Sequence, residues 1–139
     1  MTKYSSVLRI QGAGKYHVEL KSRFGKENCS EHRAGDSVES EFSFVPIKYW
    51  PYDVIIVTPI VNPELGIFDQ IDWICQKLER HEAFLLEIIA NGVNIDISCC
   101  CYTDQNIGDL KISSSQIKNI AKFGISFFSR FVVNEVFVE

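Results

Sequence analysis

Residues 93–102 read VNIDISCCCY, from Val93 to Tyr102. Apolar and polar residues alternate through this stretch, the period of a strand with one buried face. Val93, Ile95, Ile97, Cys99 and Cys101 share one side; Asn94, Asp96, Ser98, Cys100 and Tyr102 share the other. The alternation separates the adjacent thiols, which therefore cannot easily converge on one ion. A zinc site more typically shows a C-x-x-C knuckle with a second pair downstream. Reduced cysteine behaves as a small hydrophobe, so Cys99 and Cys101 are expected to continue the apolar stripe into the core.

On the N-terminal side of this strand, Ile67, Phe68, Ile71, Ile74, Cys75 and Leu78 mark one apolar helical face, with Asn62-Pro63 as its cap and first turn. The helical pattern resumes from Ala83 to Ala90 and stops at Asn91-Gly92. An unbroken helix from 63 to 90 would be about 42 Å long, more than a domain of this size spans, so a break is expected near Arg80–Glu82. On the C-terminal side, Leu110–Ile112 reads as a short strand. Ser113 and Gln116 form a capping-box pair opening a helix with Ile117, Ile120 and Ala121 inward and Gly124 as its stop. Ile125 to Val138 is a final strand region.

Nearer the N-terminus, Ser6–Gln11 reads as a strand ending at Gly12-Ala-Gly14. Tyr16, Leu20 and Phe24 have helical spacing before Gly25, although Tyr16, Val18 and Leu20 also alternate as a hairpin strand would. Residues 26–37 are polar and turn-rich, hence a loop. Val38–Tyr49 and Asp53–Ile60 read as neighbouring strands, the second apolar almost throughout. The order β-α-β-β-α-β followed by β-α-β predicts a single α+β domain over 1–139. Its expected arrangement is a ferredoxin-like split β-α-β antiparallel sheet with helices on one face, extended by a C-terminal β-α-β.

The chain has 139 residues with 46% hydrophobic and 23% charged residues, ordinary globular composition for one core. No apolar run approaches the roughly 20 residues needed to span a bilayer, and the first residues lack the features of a secretory signal, so a cytoplasmic location is expected. The net charge of −4 is uneven: residues 1–34 hold seven Lys/Arg against three Asp/Glu, and residues 35–139 hold seven against fifteen. An acidic body repels phosphate backbones, and the basic third has no Lys/Arg cluster, so no nucleic-acid partner is expected.

Catalytic and metal chemistry find little support. His17, His32 and His81 are scattered, and none stands in a nucleophile motif. Gly12-Ala-Gly14-Lys15 lacks the full phosphate-loop pattern and reads as a tight turn. Cys29-Ser-Glu-His32 has a metal-like C-x-x-H spacing, but it is half a site without a second pair. Five cysteines in a chain expected to be cytoplasmic argue against a disulfide framework. No cofactor, metal or catalytic residue is therefore expected. Asp69 and Asp72 lie on the polar side of the long helix with Trp73 beside them, a pattern that suits either a solvated face or an interface with an aromatic anchor.

The layout resembles the domain of unknown function 4279 family of small bacterial proteins. The residues that carry the resemblance are Leu8-Arg-Ile-Gln-Gly12, Phe24-Gly25, Arg33-Ala-Gly-Asp36, Ile71–Leu78, and Ser113–Ile117 with Ile120–Gly124. The chain departs from the family pattern at Lys26–Asn28, where a proline-threonine pair is usual, and at Trp50, which lies just ahead of its middle strand rather than opening it. The family pattern supplies no catalytic residues. Small size, an acidic body and a family of stand-alone bacterial proteins point to a non-catalytic immunity protein that neutralises a cognate toxin domain, itself expected to be basic. Acidic and aromatic contacts at Asp36, Glu39, Glu41, Asp69, Asp72 and Trp73 would carry the binding. A small-molecule-binding or regulatory domain is the alternative, and the apolar strand surfaces also admit a homodimer.

Overall fold

The structure, a computed structural model, describes residues 3–38, 48–61, 66–103 and 111–133. Among these residues, five strands and four α-helices follow in the order β1 (Lys3–Gln11), α1 (His17–Phe24), β2 (Cys29–His32), β3 (Val54–Val57), α2 (Ile67–Arg80), α3 (Glu82–Ala90), β4 (Asn94–Thr103), α4 (Ser114–Lys122) and β5 (Ser126–Val133). They form one sheet in the order β2-β3-β1-β4-β5. The β1·β3, β1·β4 and β2·β3 pairs are antiparallel, while β4 and β5 are parallel. In each β-α-β half another strand lies between the two that the helical segment joins, the split arrangement of a ferredoxin-like α+β fold. The β4-α4-β5 crossover extends it by one parallel strand.

All four helices pack on one side of the sheet. Leu8, Ile10, Ile55, Val57, Ile95, Ile97 and Cys99 face them and meet Leu20, Phe24, Ile71, Ile74, Leu78, Leu85, Ile88 and Ile120 in one cluster of buried side chains. The register stacks Ile10 between Ile55 and Ile95, and Leu8 between Val57 and Ile97, which aligns apolar residues across three strands. The opposite face carries a smaller cluster of Trp50, Val54 and Ile56 with Val7 and Val38 against it.

The alternation of β4 holds: Cys99 and Cys101 are 2% and 3% exposed, and Cys99 Sγ lies 3.2 Å from Ser6 Oγ on the neighbouring strand. Burial pushes the Cys99 and Cys75 thiols up to about 11, and that of Cys29 likewise. At pH 8 a thiol with such a pKa is thiolate in only about one molecule in a thousand. Brief exposure of the folded protein to a thiol reagent is expected to modify Cys100 first and to leave Cys75 and Cys99 unlabelled, with all five reacting in denaturant. Mass mapping checks this; early labelling of Cys99 would contradict the packing.

The helix break falls at His81, between α2 and α3. There Arg23 Nη1 donates to His81 Nδ1 at 3.2 Å, and burial, followed by the nearby Arg23 charge, lowers the imidazole pKa. The capping box of α4 also forms: Gln116 N donates to Ser113 Oγ at 3.1 Å and Ser113 N to Gln116 Oε1 at 3.0 Å. Removing the hydroxyl in Ser113→Ala is expected to cost about 1 kcal/mol of stability by urea titration.

Several expectations are corrected. Residues 26–37 are not a plain loop: Lys26–Asn28 is a 3-10 turn and Cys29–His32 is the edge strand β2. That short polar strand takes the second-strand place expected for Val38–Tyr49, most of which lies outside the described residues. Ser37 and Tyr49 form only an isolated bridge. The helical spacing of Tyr16, Leu20 and Phe24 is borne out by α1, so the hairpin alternative falls, while Asp53–Ile60 is a strand only over Val54–Val57. Lys111 and Ile112 are not in a strand, so β4 itself opens the C-terminal β-α-β. Asn62-Pro63 lies outside the described residues, and α2 is described from Ile67. In α4, Gln116 and Ile120 turn inward whereas Ile117 is 55% exposed, because the capping glutamine occupies the buried position and its Nε2 donates to Phe68 O at 3.0 Å.

Candidate functional site

Helix α2 buries Ile67, Gln70, Ile71, Ile74, Cys75 and Leu78 against the sheet. The residues between them, Phe68, Asp69, Asp72, Trp73 and Gln76, follow a spacing of one, four, five and eight, which is one continuous stripe on the outer side of the helix. Phe68 is 40% exposed, although its place in the apolar pattern predicts burial. Gln116 pins its backbone carbonyl to the start of α4. Trp73 is half-buried, its ring on the margin of the core, and Lys77 Nζ lies 5.3 Å from the ring centroid. Gln76 Nε2 donates to Asp72 Oδ2 at 2.9 Å, while Asp69 is exposed. The structure thus brings Asp69, Asp72 and Trp73 together and adds Phe68 to them.

Asp36 does not join this group. Its carboxylate accepts from Arg33 N at 2.8 Å and closes a tight turn through Gly35, whose φ of +91° suits glycine. Trp50 N donates to Asp36 O, and Trp50 packs on the sheet face away from the helices. Asp36 is therefore a turn former on the other side of the molecule. Glu39 and Glu41 lie outside the described residues.

Cys29 and His32 are three residues apart in a strand, which sends them to opposite faces. Cys29 packs against the helix-side core, and His32 stacks on Trp50 with ring centroids 4.7 Å apart on the other side. The C-x-x-H spacing cannot chelate one ion here. Among the described residues, no three His, Cys, Asp or Glu side chains are grouped to hold a metal.

Two polar networks were missed by the sequence reading. In the first, Glu31 on β2 takes His17 Nδ1–H at 2.6 Å, Lys21 Nζ at 2.8 Å and Arg33 Nη2 at 2.6 Å. Lys21 first, then His17, hold its carboxyl at about 2, far below its ordinary value of 4.5. Arg33 also reaches Asp53 at 3.5 Å, and Asp53 Oδ1 accepts from Ala34 N at 2.9 Å. His17 and Lys21 stand at i and i+4 on α1 and so share a face, a spacing visible in the sequence once Glu31 is known to face it. The ionised carboxylate fixes the His17 proton on Nδ1. The ring is buried, whereas Glu31, Lys21 and Arg33 keep part of their side chains exposed, so the network ties a buried imidazole to a part-exposed carboxylate.

In the second, Arg9 Nε donates to Asp96 Oδ1 at 2.6 Å and Gln11 Nε2 to Asp96 Oδ2 at 3.1 Å, with Asp96 itself 4% exposed. Arg9 and Asp96 are register partners on β1 and β4, on the face without helices. The Arg9 guanidinium also lies 5.7 Å from the Phe128 ring centroid. No helix among the described residues is long and apolar enough to cross a membrane. No family model, no curated protein and no solved structure matches the chain.

Proposed function

We propose that the chain is a non-catalytic immunity protein of the bacterial cytoplasm. In this reading it neutralises a basic toxin domain by binding it with the outer face of α2. The observation that carries this reading is the stripe of Phe68, Asp69, Asp72 and Trp73, acidic and aromatic side chains on one rigid helix. Aromatic groups anchor interfaces because each buries a large area at little entropic cost, and charges around them steer association. The acid-rich body, with fifteen Asp/Glu against seven Lys/Arg from residue 35 onward, would speed encounter with a cationic partner. The resemblance to the domain of unknown function 4279 family supports the same reading through its small stand-alone members.

Co-expression with the product of the adjacent gene, followed by affinity purification, tests it. A stoichiometric complex that protects cells from that product is the expected result. Asp69→Lys with Asp72→Lys is expected to weaken the complex about 10- to 100-fold, with the loss shrinking as salt rises. A partnerless protein, or a complex indifferent to both charge reversals, would sink the proposal. A small-molecule reading would have to use the shallow, open hollow of about 450 Å³ lined by Glu27, Asn28 and Thr58–Val61. Under that reading a metabolite would raise the melting temperature with no protein partner needed.

A further inference from the structure

The two edges of the sheet are unlike. At one end β2 is four residues long, and its charged Glu31 is engaged by Lys21 and Arg33. A short, charged edge is a poor template for another strand. At the other end β5 runs for eight residues, SFFSRFVV, with one charge, no proline and no glycine. Among the described residues β5 pairs only with β4. An edge of that length and apolarity, paired on one side only among the described residues, invites a further strand.

The sequence of β5 complements itself. When two copies of one strand pair antiparallel about a two-fold axis perpendicular to the sheet, facing residues project to the same side. Registers therefore centre on a single residue, which meets its own copy. Centring on Arg130 would oppose two guanidinium groups, and centring on Phe128 would leave both arginines without a ring. Centring on Ser129 sets Phe128 opposite Arg130 of the second copy, twice. Phe128 is 52% exposed and Arg130 is exposed on the same face, so both can reach across a cross-strand distance of about 5 Å. Phe128 has Arg9 5.7 Å from its ring centroid within its own copy, and the second copy's Arg130 would meet the exposed part of the ring.

We infer that two copies of this chain join through β5, antiparallel and centred on Ser129, to make one continuous sheet from two five-stranded ones. The helix-side core and the α2 stripe stay outside this junction, so the inference stands independently of the toxin-binding reading.

Sedimentation equilibrium of the purified chain, from micromolar to a few hundred micromolar, tests it. A monomer–dimer equilibrium is expected for the wild type. Phe128→Arg opposes two cations and is expected to weaken the dimer at least about tenfold. Adding Arg130→Glu to that variant places the introduced guanidinium of one copy against the introduced carboxylate of the other and restores the dimer. A wild-type protein that stays monomeric overturns the proposal, as does a dimer untouched by Phe128→Arg. A double variant that stays monomeric overturns the register. Far-UV circular dichroism confirms that each variant is folded. Should Phe128→Arg not fold, Ser129→Cys under mild oxidation supplies the second test: a disulfide-linked dimer, with none from Ser126→Cys, is expected, and the reverse pattern contradicts the Ser129 axis.

Discussion

Arg9→Leu is expected to destabilise the domain by about 3 kcal/mol. Asp96 is 4% exposed and sits on a strand that carries much of the core on its other face. With Arg9 in place its carboxylate has a guanidinium at 2.6 Å and the Gln11 amide at 3.1 Å. Leucine keeps much of the stem but removes the cation, leaving a buried anion with one neutral donor. A buried charge stripped of its partner costs far more than the pair itself contributes, because the desolvation remains and the attraction is gone. The double variant Arg9→Leu with Asp96→Leu is therefore expected to be more stable than Arg9→Leu alone. Urea unfolding of the two variants checks the ordering. Equal midpoints for Arg9→Leu and wild type would show that Asp96 is not buried as described.

Acid is expected to act through Glu31. Its carboxyl titrates at about 2 in the folded protein against an ordinary value of 4.5, so the folded state takes up this proton less readily than the unfolded chain does. The stabilisation is complete above 4.5 and is lost as the pH falls toward 2. The span corresponds to about 3 kcal/mol before solvent screening is discounted, and the side chain is 25% exposed, so about 2 kcal/mol is the expected loss. Glu31→Gln removes this contribution at neutral pH and flattens stability between about pH 5 and 2 relative to wild type. A variant with an unchanged acid slope would mean that other carboxylates dominate.

These two networks also show where the sequence was silent. Strand β4 was legible because its buried residues alternate with polar ones, and the α4 cap because Ser113 and Gln116 stand at the required spacing. The break at His81 followed from length alone. Strand β2 was not legible. It is four residues long and faces the helix side with Cys29 and the charged Glu31, so hydrophobic periodicity has too little to register. Its place in the sheet is reinforced by charges from α1 and Arg33 that only the fold brings together. The same limit explains Asp96, which reads as a solvent-side residue of an alternating strand until Arg9 and Gln11 close over it. Asp69, Asp72 and Trp73 were legible as one helical patch, whereas Phe68 was misplaced because apolar spacing assigned it inward. The turn that Asp36 closes, away from the α2 stripe, is not legible from its residue type, because the same type that suits a basic partner also closes turns.

Whether α2 is the binding face of the proposed complex can be read by hydrogen–deuterium exchange of the chain alone and with whatever partner co-purifies with it. Partner-dependent protection concentrated in α2, together with slower exchange at the start of α4 where Gln116 holds Phe68, is the expected result. Protection confined to the opposite sheet face or to the hollow beside Thr58–Val61, with α2 unchanged, would contradict it.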